Sequence, residues 1–328
     1  MATYKEIHGT KIEIVASDPS NPVEGQVWYN TTSNVIKGKA QTSTGSWATG
    51  GSLTTLRRMM GSAGTQTSAL SFGGVNTTAT LGLTESYNGT AFTEVADLNE
   101  ARRDIRGCGV DNTAALAFGG NNSAKTELWN GSSWTEVNDL GQGRSYHSSA
   151  GTTTSAIAFA GNYPPTTNSA ITETWNGTSW TEVSNLNTGR HNMAGSGTDN
   201  EAALCIGGES PTTGKTESWD GSSWTEVGDL NSGRRSNAGA GTPSASLTFG
   251  GNTSTIVDNT EEWNGSSWTE VADLSTARVG HGGSGYSSAT TASIAFGGER
   301  ASGSPSNTAE SEEWTGAGAS VTRTFTVD

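Results

Sequence analysis

Arginine and glutamate are the residues whose types and spacing in this chain could do chemistry. Of twelve Arg, ten fall in one recurring place: Arg57, Arg58, Arg102, Arg103, Arg106, Arg144, Arg190, Arg234, Arg235 and Arg278. Guanidinium forks bind carboxylates and oxyanions through two parallel hydrogen bonds, so such a cluster is what an anion site needs. Carboxylates recur as regularly, at Glu85, Glu127, Glu173, Glu217, Glu261 and Glu312 and again at Glu94, Glu136, Glu182, Glu226 and Glu270. Hydrolysis by paired carboxylates wants one singular pair with one pKa raised by burial, whereas columns repeated in nearly every unit behave as scaffolding. One Arg per unit (Arg57, Arg102, Arg144, Arg190, Arg234, Arg278) with a matching Glu is most simply an internal ion pair. Residues one or two past that column differ between units, and they are the better candidates for ligand contact: Arg58, Arg103, Asp104, Tyr146, His191 and Arg235. Tyr163 and Arg300, which stand in two of the irregular connecting loops, join them as candidates.

Other reactive types are few. Cys108 and Cys205 are too few for a disulfide scaffold or a four-thiolate zinc site. Acidic turns such as Val-Ala-Asp-Leu lack the spacing of a calcium loop, and no Gly-rich loop follows a strand and opens a helix. The expectation is no catalytic residue, no metal and no cofactor. A formal net charge of −14 makes the body repel phosphate backbones and anionic membrane surfaces, so neither nucleic acid nor membrane insertion is expected. No apolar stretch is long enough to span a bilayer, and MATYKEIHGTKIEIV lacks an apolar signal core, so a product that is not conventionally secreted is expected.

The elements that must position these residues follow from a repeat. ITETWNGTSWTEVSNLNTGR (171–190) recurs as KTELWNGSSWTEVNDLGQGR, KTESWDGSSWTEVGDLNSGR and NTEEWNGSSWTEVADLSTAR, with a worn copy, LTESYNGTAFTEVADLNEAR (83–102). One aromatic column is Tyr87, Trp129, Trp175, Trp219, Trp263 and Trp314; the other is Trp47, Phe92, Trp134, Trp180, Trp224 and Trp268. A Gly pair or near-pair precedes each unit's aromatics, from Gly73-Gly74 to Gly297-Gly298, with Ala160-Gly161 the exception. Only 31% of residues are hydrophobic, a composition compatible with disorder, but evenly spaced Trp has no reason to exist in a disordered chain. Each unit alternates as four short strands, with Asn-Gly or Asp-Gly supplying the positive-φ turn between the aromatic pair. Units of this size cannot bury both faces alone and must stack. Small residues on the first strand suit crowding around an axis, and Trp suits a wedge that widens outward. The expected fold is therefore an all-β, six-bladed propeller over residues 41–316.

The Gly pair after an apolar strand, the aromatic, the second Trp and the Arg together resemble the kelch family over roughly residues 45–316, with Trp-Asn-Gly standing where kelch usually has Tyr-Asp. A propeller built on the sialidase-type Asp box is the nearest rival, but the turn here lacks the intervening residue. Kelch propellers include galactose oxidase-like copper enzymes, which need two His, a Tyr ligand and a Tyr–Cys crosslink. This chain has His8, His147, His191 and His281; His147 and His281 share a column but belong to the third and sixth blades, so copper chemistry is not expected.

Closure is legible in the register. GSWATGGSL (45–53) matches an outermost strand, whereas the last unit ends at EEWTG (312–316) without one, so the N-terminal strand is expected to complete the last blade. Residues 1–40 form an extension in which EGQVWYNTTSNVIKGKA (24–40) reads as a hairpin, and the C-terminal strand in 317–328 is expected to pair with it. That hairpin resembles Gly-x-Val-Trp-Tyr-Asn hairpins of tailed-bacteriophage structural proteins, and the repeats resemble kelch-type proteins of marine phages. What the resemblance implies is a non-enzymatic virion protein, attached to other virion proteins through residues 1–40, serving as a tail- or fibre-associated adhesin or a capsid decoration. Its partner would be a host surface glycan or protein, with homo-oligomers on the particle left open. The loops joining second and third strands vary while the opposite turns are uniform, so the variable side, where the Arg cluster starts, is the expected recognition face, ringed with positive charge. A glycan-degrading enzyme and a purely architectural spacer are the alternatives.

Overall fold

In the computed structural model of the chain, residues 12–20, 22–23, 25–41, 44–165, 167–209, 211–286, 290–302, 306–317 and 320–325 are described. His8 and parts of the extension, of three variable loops and of the C-terminal tail therefore lie outside the described residues. The described chain is all-β, a propeller-like repeat of four-stranded antiparallel sheets.

Six sheets repeat one pattern. The first comprises Gly61–Thr65, Ser68–Phe72, Thr84–Tyr87 and Phe92–Val95; the second Arg106–Asp111, Ala114–Phe118, Thr126–Trp129 and Trp134–Val137. The third comprises Ser148–Gly151, Ala156–Phe159, Thr172–Trp175 and Trp180–Val183; the fourth Ala194–Gly197, Ala203–Ile206, Thr216–Trp219 and Trp224–Glu226. The fifth comprises Ala238–Thr242, Ala245–Phe249, Thr260–Trp263 and Trp268–Glu270. The sixth takes Gly282–Ser284, Ala292–Phe296 and Ser311–Thr315 from the C-terminal part, and its fourth strand is Ser46–Thr49, with Trp47 opposite Trp314.

Second strands such as Ala-Ile-Ala-Phe (156–159) are buried at every position because both faces of each sheet are covered by neighbours. The apolar core is accordingly divided into clusters, each bridging two successive sheets. Phe72 of the first sheet packs with Trp134 of the second, Phe159 of the third with Trp224 of the fourth, and Phe249 of the fifth with Trp47 of the sixth. The cluster of Phe92, Tyr87, Ile294 and Phe296 joins the sixth sheet to the first. Indole N–H groups cross the same seams. Trp134, Trp180, Trp224, Trp268 and Trp47 each donate to a Thr hydroxyl of the preceding sheet at 3.0–3.1 Å. A buried indole that finds an acceptor retains the full benefit of its apolar area.

First strands are small because they crowd one another. A Cβ on Gly195 would stand 2.6 Å from the Ser149 carbonyl oxygen, and one on Gly283 would stand 2.7 Å from the Ala238 Cβ. After each second strand the chain turns through a positive-φ residue, Gly in five sheets and Ala160 (φ 61°) in the third. The chain also makes a positive-φ step just before each first strand, at Met59, Asp104, Tyr146, Asn192, Ser236 and Gly280, with φ of 52–61°. Amides there donate in an open series that runs from Asp104 at one end to Tyr146 at the other: Asp104 to the Met59 carbonyl, Met59 to Gly280, Gly280 to Ser236, Ser236 to Asn192 and Asn192 to Tyr146, at 2.6–3.1 Å.

The extension contributes a further sheet in which Val27–Asn30 and Val35–Gln41 form the expected hairpin, Glu13–Val15 adds in parallel and Ser320–Phe325 pairs with Val35–Gln41. Asp18 accepts from Trp28 Nε1 at 3.0 Å and Asn30 Nδ2 at 2.7 Å and meets Lys37 Nζ at 2.7 Å; these bonds, Lys37's first, hold its carboxyl at about 2.

Candidate functional site

Six Arg–Glu pairs set the floor beneath the variable face. Arg57–Glu85, Arg102–Glu127, Arg144–Glu173, Arg190–Glu217, Arg234–Glu261 and Arg278–Glu312 are all ion-paired, with side chains at most 3% exposed. In each, the second carboxylate oxygen accepts a backbone N–H from the connection leading into that sheet, as Glu127 Oε2 does from Asn99 at 2.8 Å. These columns are internal clamps that tie each sheet to the linker entering it. The other Glu column is exposed on the outer strands, where Glu136 and Glu226 meet Lys125 and Lys215.

Above the clamps, the residues that differ between sheets are brought together around the mouth of the space enclosed by the first strands. Asp104 is 4% exposed, and Arg103 Nε lies 3.6 Å from its Oδ2. Burial pushes the Asp104 carboxyl up, opposed by the cations of Arg106, Arg103 and Arg58. Tyr146 is pushed up by burial and then by the Asp104 charge, and its ring stands edge-on to His191 at 6.2 Å. His191 places Nδ1 2.9 Å from Asn168 Oδ1 and Nε2 3.4 Å from Glu209 Oε2. Burial lowers its pKa, with Glu209 opposing and Arg235 reinforcing. Arg235 pairs with Glu209 and Arg58 with Glu299. A depression of about 320 Å³ lies between Arg58, Arg235, Glu299 and Ile256.

Six of the eight sequence candidates thus share this circuit. Arg300 stands outside it, 3.3 Å from Glu310, and Tyr163 shares no hydrogen bond or ion pair with it among the described residues. The positive ring expected here needs correction. Arg58, Arg103, Arg235 and Arg300 each have a carboxylate partner, so the mouth alternates in sign. Its physical reason is that Glu209 and Glu299 open two of the variable loops, where no repeat column announces them, and fold back onto the arginines. His147 and His281, in the linkers entering the third and sixth sheets, lie against Phe118 and Phe249. Among the described residues no three His, Cys, Asp or Glu side chains converge as a metal site.

Sequence reasoning counted Arg106 in the arginine cluster but did not single it out as a contact residue. It occupies a column otherwise filled by Gly61, Ser148, Ala194, Ala238 and Gly282, and that departure was the available signal. No protein-family model and no curated protein matches this chain.

Proposed function

We propose that the six sheets are blades of a closed, kelch-like propeller that acts as a non-enzymatic binding module of a bacteriophage virion, an adhesin or decoration that reads a host surface glycan or protein. What supports closure is the cyclic order of the core clusters and the series of mouth amides, with Met59 donating to Gly280 across the ends of the repeat. The observation that carries the binding role is the contrast within one face. Six identical buried Arg–Glu clamps lie directly beneath a circuit of unlike residues, Arg58, Asp104, Tyr146, His191 and Arg235, and of unlike loops. A repeated frame bearing non-repeated residues on one side is the form of a recognition surface. Alternating charge favours a ligand with both donors and acceptors, as a glycan or a polar protein loop has.

Attachment through residues 1–40 is supported by an apolar row across the extension sheet. Ile14, Tyr29, Ile36 and Phe325 are successive cross-strand partners, and Ile14 is 73% exposed and Phe325 48%. Exposed apolar surface of this kind marks a contact with another protein. Many copies on a particle turn weak single contacts into strong adhesion. The test is adsorption to host cells and glycan arrays by the protein carrying Arg58→Ser, Arg103→Ser and Arg235→Ser together. Loss of binding with an unchanged fold is expected; unchanged binding removes the mouth from the account, and turnover of a bound polysaccharide replaces the module with an enzyme.

A further inference from the structure

Arg106 begins the first strand of the second sheet and lines a space of about 90 Å³ with Ser62, Ser148, Asn237 and His281, which come from four other sheets or the linkers entering them. Its Nη1 donates to the neighbouring Ile105 carbonyl at 3.1 Å, and no carboxylate lies within 4.0 Å of it among the described residues. Each of the other ten arginines with a described side chain has one. His281, entering the sixth sheet, lines the same space as the guanidinium. Asp104 feels the Arg106 charge and is the carboxylate acting on Arg106, but it lies beyond ion-pair distance of Arg106 and is ion-paired with Arg103. Ser148, buried at the matching position of the adjoining sheet, has a hydroxyl facing the same space. Towards the other ends of the first strands Tyr286 lines a second space, and its hydroxyl donates to the Thr198 carbonyl at 3.2 Å.

A partly buried guanidinium with no carboxylate in contact among the described residues keeps donor N–H groups that a small anion can take. We propose that the central channel binds one small anion, a carboxylate or oxyanion, on the Arg106 guanidinium with Ser148 as a second donor. The space holds a few waters or one such anion. This site goes beyond the adhesin reading and stands or falls without it.

The test is thermal unfolding followed by Trp fluorescence, at constant ionic strength set by bulky gluconate, with phosphate or acetate titrated in. Wild-type protein is expected to show a saturable rise in Tm with at least one of the two, reaching about a 100-fold gain in the folding constant when the anion is at 100 times its Kd. Arg106→Ser abolishes the rise, and Arg58→Ser, at the mouth, keeps it. No saturable rise in the wild type, or the same rise in Arg106→Ser, overturns the proposal. Should Arg106→Ser fail to fold, wild-type crystals soaked in selenate decide: an anomalous peak within hydrogen-bond distance of the Arg106 guanidinium supports the site, and a channel without one overturns it.

Discussion

Replacing Glu127 by Gln isolates the energetics of a single clamp. Glu127 Oε1 takes Arg102 Nη2 at 2.5 Å, and Oε2 takes both Asn99 N and Asn99 Nδ2 at 2.8 Å. An amide offers one acceptor oxygen and one donor NH₂, so in either orientation the Glu127→Gln side chain aims donors at donors: at Arg102 or at Asn99. Arg102, fully buried, also loses its only carboxylate, keeping the Gly119 and Lys125 carbonyls at 2.8 Å. Breaking a buried pair by removing one charge costs about 3–5 kcal/mol. With a denaturant slope of roughly 3 kcal/mol/M for a chain of this length, the urea midpoint falls by about 1–1.7 M. The assay is equilibrium urea unfolding followed by fluorescence of the eleven Trp. Lys125→Met is the control, since its ammonium stands in solvent between Glu100 and Glu136, and it should leave the midpoint unchanged. A loss of less than about 1 kcal/mol in Glu127→Gln refutes the clamp as an energetic element.

Two further outcomes follow from burial. His281 is lowered to about 3 by desolvation and then by Arg278, and His147 is lowered in the same direction, so both stay neutral when folded. Their folded pKa lies below the unfolded value of 6.5, so stability is full above that value and is lost as pH falls towards 3, by up to about 1.4 kcal/mol per pH unit for each group. His281→Phe should flatten the pH dependence of the urea midpoint between pH 6.5 and 4; an unchanged slope refutes the assignment. Burial pushes the Cys205 thiol up to about 12 and raises that of Cys108 as well, so neither should react with a thiol reagent in native protein at pH 8, and both should react once it is unfolded in urea. Rapid labelling of the native chain would contradict their placement.

The sequence by itself determined the repeating unit, because the features that carry it are local. Alternation makes the strands, Asn-Gly and Asp-Gly make the turns, and the match between 45–53 and the outer strands is enough to place Trp47 opposite Trp314. It also exposed the Arg and Glu columns as scaffolding, since whatever recurs in every unit must serve what every unit needs. What recurs nowhere was beyond its reach. Glu209 and Glu299 neutralise the mouth arginines because loop backbones bring them back over 26 and 241 residues of chain, a closeness no spacing encodes. Arg106 differs from its column by a single letter, and only the approach of first strands from separate sheets places that letter beside Ser62 and Ser148. Charge compensation depends on distance in space, and the sequence records distance along the chain.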